Sequence, residues 1–249
     1  MIPYKFKHDL NHPKRSIEHK NILLSKKSLR SIYEKWYTTF KSYIDKNAVY
    51  IELGSGGGFL KDIIPEVITS DINKIPGVDQ YFSASSLPFD DKSVSGIFMI
   101  DALHHFPEVD RFFAESVRVL KKQGKIVLVE PWYTKWSRFI YKNFHHELFD
   151  LNRDWTFPLS GPLSGSNMAL PYIIFKRDIK FFSETYPQLK VKRLEPHTPF
   201  TYLLTGGFSR KEFLPAFIIR FVRYIEDHIP FVRNKFAMFV TIEIEKVED

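Results

Sequence analysis

Cysteine is absent from the 249 residues. That excludes disulfides and thiolate metal sites, and it suits a reducing compartment such as the cytoplasm. Long apolar runs are also absent: no stretch approaches the roughly 18 residues that a membrane-spanning helix needs. The first twenty residues, MIPYKFKHDLNHPKRSIEHK, hold no apolar core of the secretory kind, so no leader is expected. Glycine is scarce, with 11 residues in all, yet four of them fall between Gly54 and Gly58, interrupted only by Ser55. What is abundant is hydrophobic and aromatic: 44% and 16% of the chain, which excludes wholesale disorder.

The net charge of +7 is unevenly spread. Residues 1–47 carry 11 basic and 4 acidic side chains, residues 48–131 carry 8 and 12, and residues 176–235 carry 12 and 6. The glycine cluster therefore lies in an acidic part flanked by basic ones. An acidic site suits a cationic or neutral ligand; basic flanks suit an anionic substrate, a phospholipid surface or nucleic acid, or are simply solvated.

The periodicity changes along the chain. Residues 19–45 repeat apolar side chains at three- and four-residue steps, which predicts one helix. Short apolar runs follow at 48–53, 67–72, 94–101 and 125–131, as expected of parallel strands covered on both faces. Between the last two, residues 107–124 read as a helix with Pro107 near its start and Gly124 as its C-cap. This alternation argues for βαβ units in a doubly wound sheet. Beyond Pro131 the pattern predicts an aromatic helix at 132–151, a Pro/Gly/Ser-rich loop or lid at 155–172, a helix from Arg177 and a strand at 189–196. A capping box at 209–212 precedes an apolar helix, and a last strand occupies 236–245.

Glycines at the end of a strand let a ligand press against backbone. A dinucleotide turn wants G-x-G-x-x-G, but its third glycine position is Phe59; a phosphate loop wants a Gly-Lys-Ser/Thr ending, which is missing. What stands here is E-x-G-x-G-x-G, from Glu52 to Gly58. With Asp71 ending the next run, and with LPF (87–89), ALHHF (102–106) and VLKKQGKIVLVEP (119–131) in order, residues 45–131 resemble the class I S-adenosylmethionine-dependent methyltransferases. The likeness is to their small-molecule, type 11-like branch.

The resemblance implies an α/β, Rossmann-like, seven-stranded and mostly parallel sheet with helices on both faces, an antiparallel last strand and helical cap insertions. It implies S-adenosylmethionine as cofactor. Gly54, Ser55, Gly56 and Gly58 would form the turn under its amino-acid part and ribose, and Glu52 would face its ammonium. Asp71, with Ile72 beside it, would hold the ribose; Ser83, Ala84 and Ser85 would meet the adenine edge. Asp101 and Ala102 would lie near the sulfonium. Two positions depart from the family, Ser83 and Ser95, where acids are usual; a serine accepts from the adenine amine less strongly than a carboxylate. If the acceptor is a hydroxyl, His105 or His104 is the candidate general base, with His145, His146 and His197 behind them. The adjacent histidines have no H-x-x-x-H spacing, so no metal is assigned.

The chain reads as one domain, 1–249: an N-terminal arm (1–44), a cofactor core (45–131), a substrate-side cap (132–235) and a final strand (236–245). Aromatics from Trp132 to Phe157 would pack a cap or line an acceptor pocket. Residues 211–235 mix apolar and basic side chains: a buried helix by default, or peripheral contact with the inner face of a membrane. The expected activity is methyl transfer, at oxygen, to a small, glycan or lipid-linked acceptor; nucleic acid ranks below these. Two alternatives stay open: a non-catalytic cofactor-binding relative acting as a partner or regulator, and a nicotinamide-dependent oxidoreductase.

Overall fold

The computed structural model describes residues 3–57, 59–158, 161, 165–212 and 214–248. Seven strands form one sheet: β1 (Val49–Leu53), β2 (Ile68–Asp71), β3 (Gln80–Tyr81), β4 (Val94–Ile100), β5 (Leu120–Pro131), β6 (Leu189–His197) and β7 (Phe239–Lys246). Their order is β3-β2-β1-β4-β5-β7-β6. Only the pairs made by β7 are antiparallel, so the last strand of the chain is the one reversed strand, as expected. The order reverses direction between β1 and β4, and a crevice opens at such a switch point beyond the carboxyl ends of the strands.

The four apolar runs become β1, β2, β4 and β5 because both faces of the central strands are covered; Ile51, Ile97, Phe98, Met99 and residues 126–129 are fully buried. The two-residue β3 is too short to give a run. Helix α2 (Lys27–Lys41) lays Leu29, Ile32, Tyr33, Trp36, Tyr37 and Phe40 against the sheet. There Phe98 stacks between Phe40, at 4.8 Å, and Tyr50, at 5.7 Å.

Several boundaries differ from the sequence reading. The single helix over 19–45 is two, α1 (Pro13–Ser25) and α2, broken at Lys26. Lys26 is extended because its buried ammonium donates to the carbonyls of Gly207 and Arg210 at 2.5 and 2.8 Å, a tertiary bond no periodicity reports. Gly124 is not a C-cap. Helix α3 (Val109–Val119) stops at Leu120, which starts β5, and Gly124 sits in a bulge of that strand where a Cβ would meet the Lys121 carbonyl at 2.8 Å. Helix α4 (Lys135–Phe144) is shorter than 132–151 and is opened by a Thr134–Ser137 capping box.

The box at 209–212 caps nothing. After α5 (Leu170–Tyr172), α6 (Ile179–Thr185) and α7 (Thr201–Thr205), helix α8 (Ala216–His228) begins beyond Pro215 and is followed by α9 (Pro230–Phe236). Nor is α8 a buried helix: Ile219 and Glu226 are its only buried residues. Five residues of the expected lid, 159, 160 and 162–164, lie outside the described residues, and its last three are helix α5 rather than loop.

Phe98→Ala is expected to lower the unfolding free energy by about 3–5 kcal/mol, the usual cost of emptying a packed phenylalanine site. Chemical denaturation measures it, and a loss below ~1 kcal/mol would mean that the stacked trio is not tightly packed.

Candidate active site

The turn after β1 is shaped by two glycines with left-handed backbone. Gly54 has φ +68°, and a Cβ there would meet the Ala102 Cβ at 2.8 Å; Gly56 has φ +53°. The turn is tied to the end of β2. Ser55 N–H donates to the Ser70 carbonyl at 2.9 Å, and Ser70 N–H donates to Ser55 Oγ at 3.0 Å. Gly56 N–H donates to Asp71 Oδ2 at 3.0 Å, and Asn73 N–H donates to Oδ1 at 2.8 Å. Burial pushes the Asp71 carboxyl up, against the pull of those backbone donors. Each Asp71 oxygen keeps further acceptor capacity.

Two cavities meet at this turn. One, of about 500 Å³, brings together Gly54, Gly56, Asp71, Ile72, Ser83, Ala84, Ser85, Asp101, Ala102 and His105. Ser83 Oγ lies 2.8 Å from Ser85 Oγ and accepts from the Ser85 N–H. The other, of about 630 Å³, takes Glu52 and Ser55 and shares Gly54, Gly56 and Asp101 with the first. Its walls are mostly apolar, from Leu23 and Tyr33 of the arm through Ile140 and Phe144 of α4 to Met168, Leu203 and Met238, with Arg15, Lys20, Glu147 and Arg210 set among them. Gly58 lies outside the described residues. Ser95 does not reach either cavity: it sits at the start of β4, beside Gly96 and Lys122, at the opposite end of the sheet. It cannot stand in for an adenine-binding acid.

Glu52 is buried, and its Oε2 has no hydrogen-bond partner. Burial pushes its carboxyl up to about 8; a bond from Ser55 opposes this and the Asp71 charge adds to it. Asp101 has φ +56° and is pushed up to about 7, first by burial, then by Glu130 and Glu147, with His104 pulling it down.

Below Asp101 lies a network the sequence did not announce. Glu130, fully buried at the end of β5, accepts from the backbone N–H groups of Ala102 at 2.8 Å and Leu103 at 2.7 Å, and its Oε2 lies 2.8 Å from His104 Nδ1. His104 Nε2 lies 3.1 Å from Glu147 Oε2. Burial opposes a charge on His104, but the two carboxylates outweigh it and hold its pKa well above the ordinary value. Glu147 is held well below the usual carboxylate range by His104 and the neighbouring histidines, although burial pushes the other way. His104 therefore lines neither cavity and reaches them only through its neighbours. His105 lines the first cavity, with Nδ1 3.3 Å from the Gly165 carbonyl, and burial lowers its pKa to about 3. His145 and His146 line the apolar cavity. His197, on β6, bonds Thr198 and Thr241 and lines neither.

Glu130 and Glu147 were missed. The signal for Glu130 was a lone acid closing an otherwise apolar strand; Glu147 had only its place beside two histidines.

The family model described as "Methyltransferase domain" matches residues 51–128. Curated relatives include the phthiotriol/phenolphthiotriol dimycocerosates methyltransferases of Mycobacterium ulcerans and Mycobacterium tuberculosis. The first is 30% identical over 34% of this chain and 37% of its own length. The second is 33% identical over 32% of this chain and 35% of its own. The chain thus spans about a third of the length of the curated relatives it matches. Among solved structures, a SAM-dependent methyltransferase from Thermotoga maritima superposes with TM-score 0.53 at 13% identity, covering 92% of both chains. Another, from Archaeoglobus fulgidus, gives 0.52 at 16% identity, over 87% of this chain and 94% of its own. The architecture is the Rossmann-like methyltransferase fold, and the resemblance drawn from the glycine turn and residues 83–131 holds.

Because the folded chain favours protonated Glu52, this residue's contribution to stability is complete below about pH 4.5. It is lost as pH rises through about 8. Glu52→Gln mimics the protonated form. The melting temperature of the variant minus that of the parent should therefore rise from pH 5 to pH 9, by at least about 2–4 °C, corresponding to 1 kcal/mol or more. A difference independent of pH would mean that Glu52 ionises freely.

Proposed function

We propose that this chain is an S-adenosylmethionine-dependent methyltransferase that methylates an oxygen of an apolar, lipid-linked acceptor. The observation that carries the reading is the junction: the cavity that holds Asp71 and Ser83 to Ser85 and a larger, mostly apolar one share Gly54, Gly56 and Asp101.

The residues fit the cofactor. Glu52 leaves a buried, unpartnered carboxylate oxygen at the glycine turn, which an ammonium would satisfy. Asp71 would hold the ribose hydroxyls, Gly54 to Gly56 would admit the amino-acid part, and Ser83 to Ser85 would meet the adenine edge. Ile72, 60% exposed, offers that ring an apolar face. Bound there, S-adenosylmethionine supplies a methyl group already activated by its sulfonium. The chain's own task is then to position the acceptor and keep water away. An oxygen acceptor is favoured because Asp101, whose carboxyl is pushed up to about 7 by burial, borders both cavities where it could take the acceptor's proton.

An apolar acceptor is favoured by the cavity walls and by the names of the curated relatives, which act on dimycocerosates. A third feature agrees. Helix α8 turns Phe217, Phe221 and Tyr224 outward around Arg220, and α9 adds Phe231 and Lys235. No helix among the described residues is long and apolar enough to cross a membrane. A stripe of exposed aromatics and cations instead suits the headgroup region. Helix α9 packs on α4, whose Phe139 and Phe144 line the apolar cavity, so an acceptor drawn from that surface has a short apolar route inward.

Calorimetric titration with S-adenosylmethionine and its demethylated product should give micromolar binding, weakened about tenfold or more in Asp71→Ala, as for a lost charge-assisted hydrogen bond. Radiolabelled methyl transfer should favour long-chain hydroxylated lipids over the same headgroups without chains. Leu203→Trp, which narrows the apolar cavity, should cut kcat/KM on the lipid about tenfold with cofactor affinity unchanged. Absence of cofactor binding would sink the reading; binding without turnover would favour the non-catalytic relative; equal rates on chainless acceptors would remove the lipid.

Vesicles of phosphatidylglycerol and phosphatidylcholine should sediment the protein, and Phe221→Ser should weaken this several-fold. Sedimentation equal for both proteins would mean that the stripe does not touch lipid.

A further inference from the structure

We propose that His104, His105 and Glu147 form a binding site for a divalent first-row transition cation at the junction of the two cavities. The two imidazole nitrogens and the carboxylate oxygen all lie within 4.8 Å of one another. His104 Nε2 is 3.1 Å, and His105 Nε2 3.8 Å, from the same oxygen, Glu147 Oε2. Donors bound to one cation at about 2.0–2.2 Å sit roughly 3–3.5 Å apart, so the His104–Glu147 pair already has that spacing and the His105 ring would have to move inward to complete the set.

The far side of each ring fixes its tautomer. His104 Nδ1 faces Glu130 Oε2 at 2.8 Å, and His105 Nδ1 faces the Gly165 carbonyl at 3.3 Å. A carbonyl can only accept, so His105 carries its proton on Nδ1, and Glu130 draws the His104 proton the same way. With His104 in its neutral form, both rings aim Nε2 lone pairs at the Glu147 carboxylate. A second proton on His104 would relieve that pair but would leave the His105 lone pair facing Glu147 with no hydrogen between them. One cation relieves both. A carboxylate or carbonyl behind each ligating histidine is the arrangement that orients such ligands.

The site is closed on the protein side, where His104 is 1% exposed and Glu130 is fully buried. It is open on the other, where His105 lines one cavity and Glu147 the second. Three protein ligands with an open position are the pattern of a reactive centre rather than a structural one. Two imidazoles and one carboxylate select zinc, iron(II) or manganese(II) over the oxygen-preferring magnesium and calcium. The open position would take an acceptor hydroxyl and lower its pKa; that role rests on the methyltransferase reading, whereas the cation site does not.

The adjacent His145, His146 and Glu147 also cluster, with His146 Nε2 3.6 Å from Glu147 Oε1, and their exposed rings provide a control. Zinc chloride is titrated into the chelator-treated full chain, without S-adenosylmethionine or acceptor. The expected result is one ion per chain at micromolar affinity or tighter. His105→Gln and Glu147→Gln should each weaken it at least tenfold and Glu130→Gln about 10–100-fold, while His146→Ala leaves it unchanged. Cobalt(II) on the unmodified chain should show two hyperfine-shifted, exchangeable imidazole N–H signals, one per ring, and this readout does not depend on any variant folding. No binding, binding that survives His105→Gln, loss of binding in His146→Ala, or fewer than two shifted signals would each overturn the site. Failure of methyl transfer alone would bear only on the function proposed above.

Discussion

The arrangement at the sheet's carboxyl edge hangs on one buried carboxylate. Glu130 closes β5 and accepts three hydrogens across the strand boundary, from the Ala102 and Leu103 backbones and the His104 ring. The β4–β5 ladder continues to Asp101, whose N–H donates to the Val129 carbonyl at 2.8 Å. There the chain must turn sharply, and Asp101 adopts φ +56°, a conformation a non-glycine residue keeps only when its surroundings enforce it. Glu130 is that enforcement. Withdrawing one partner from such a buried charged cluster generally costs about 3–5 kcal/mol.

The consequences run outward from that turn. Ala102 is held where it touches the site of a missing Cβ on Gly54, so the loop after β4 and the loop after β1 close against each other. Gly54 and Asp101 line both cavities, and Ala102 lines the one that holds Asp71. His104, fixed from behind, presents its other nitrogen to Glu147, which arrives from the segment after α4. The inserted region is thereby joined to the sheet by a polar contact as well as by the aromatic packing of Trp132, Tyr141 and Phe149.

The parts of the fold written in local pattern were legible in the sequence. Parallel strands with both faces covered must be apolar runs, so β1, β2, β4 and β5 stood out, and the density of glycines after β1 marked the turn. Most residues expected near a cofactor, from Gly54 to Ala102, do line one cavity. What stayed hidden depends on distant partners. Lys26 breaks a periodic helix because carbonyls some 180 residues away accept from its ammonium. Gly124 has the spacing of a C-cap but serves a strand bulge. Ser95 matches an alignment position yet lies at the wrong end of β4. Helix α8 is apolar enough to read as buried, and only the fold shows that its aromatic stripe is exposed. Glu130 and Glu147 carry only faint local signatures, a lone acid ending an apolar run and an acid beside two histidines, since their importance lies in which backbone and rings they meet.

The charge distribution joins these observations. At the crevice the acidic central segment buries most of its carboxylates: Glu52, Asp71 and Glu130 are buried, Asp101 opens onto both cavities, and Glu108 is exposed at the rim of one. Burying acids without partners is costly, and the fold answers in different ways. Backbone N–H groups satisfy Asp71, two backbone donors and a histidine satisfy Glu130, and Glu52 and Asp101 are pushed toward their protonated forms. A group satisfied only by holding a proton can exchange that proton for a cation without breaking anything else. On the function proposed above, the junction of the cavities would receive positive charge from outside: an ammonium at Glu52 and a sulfonium near Asp101.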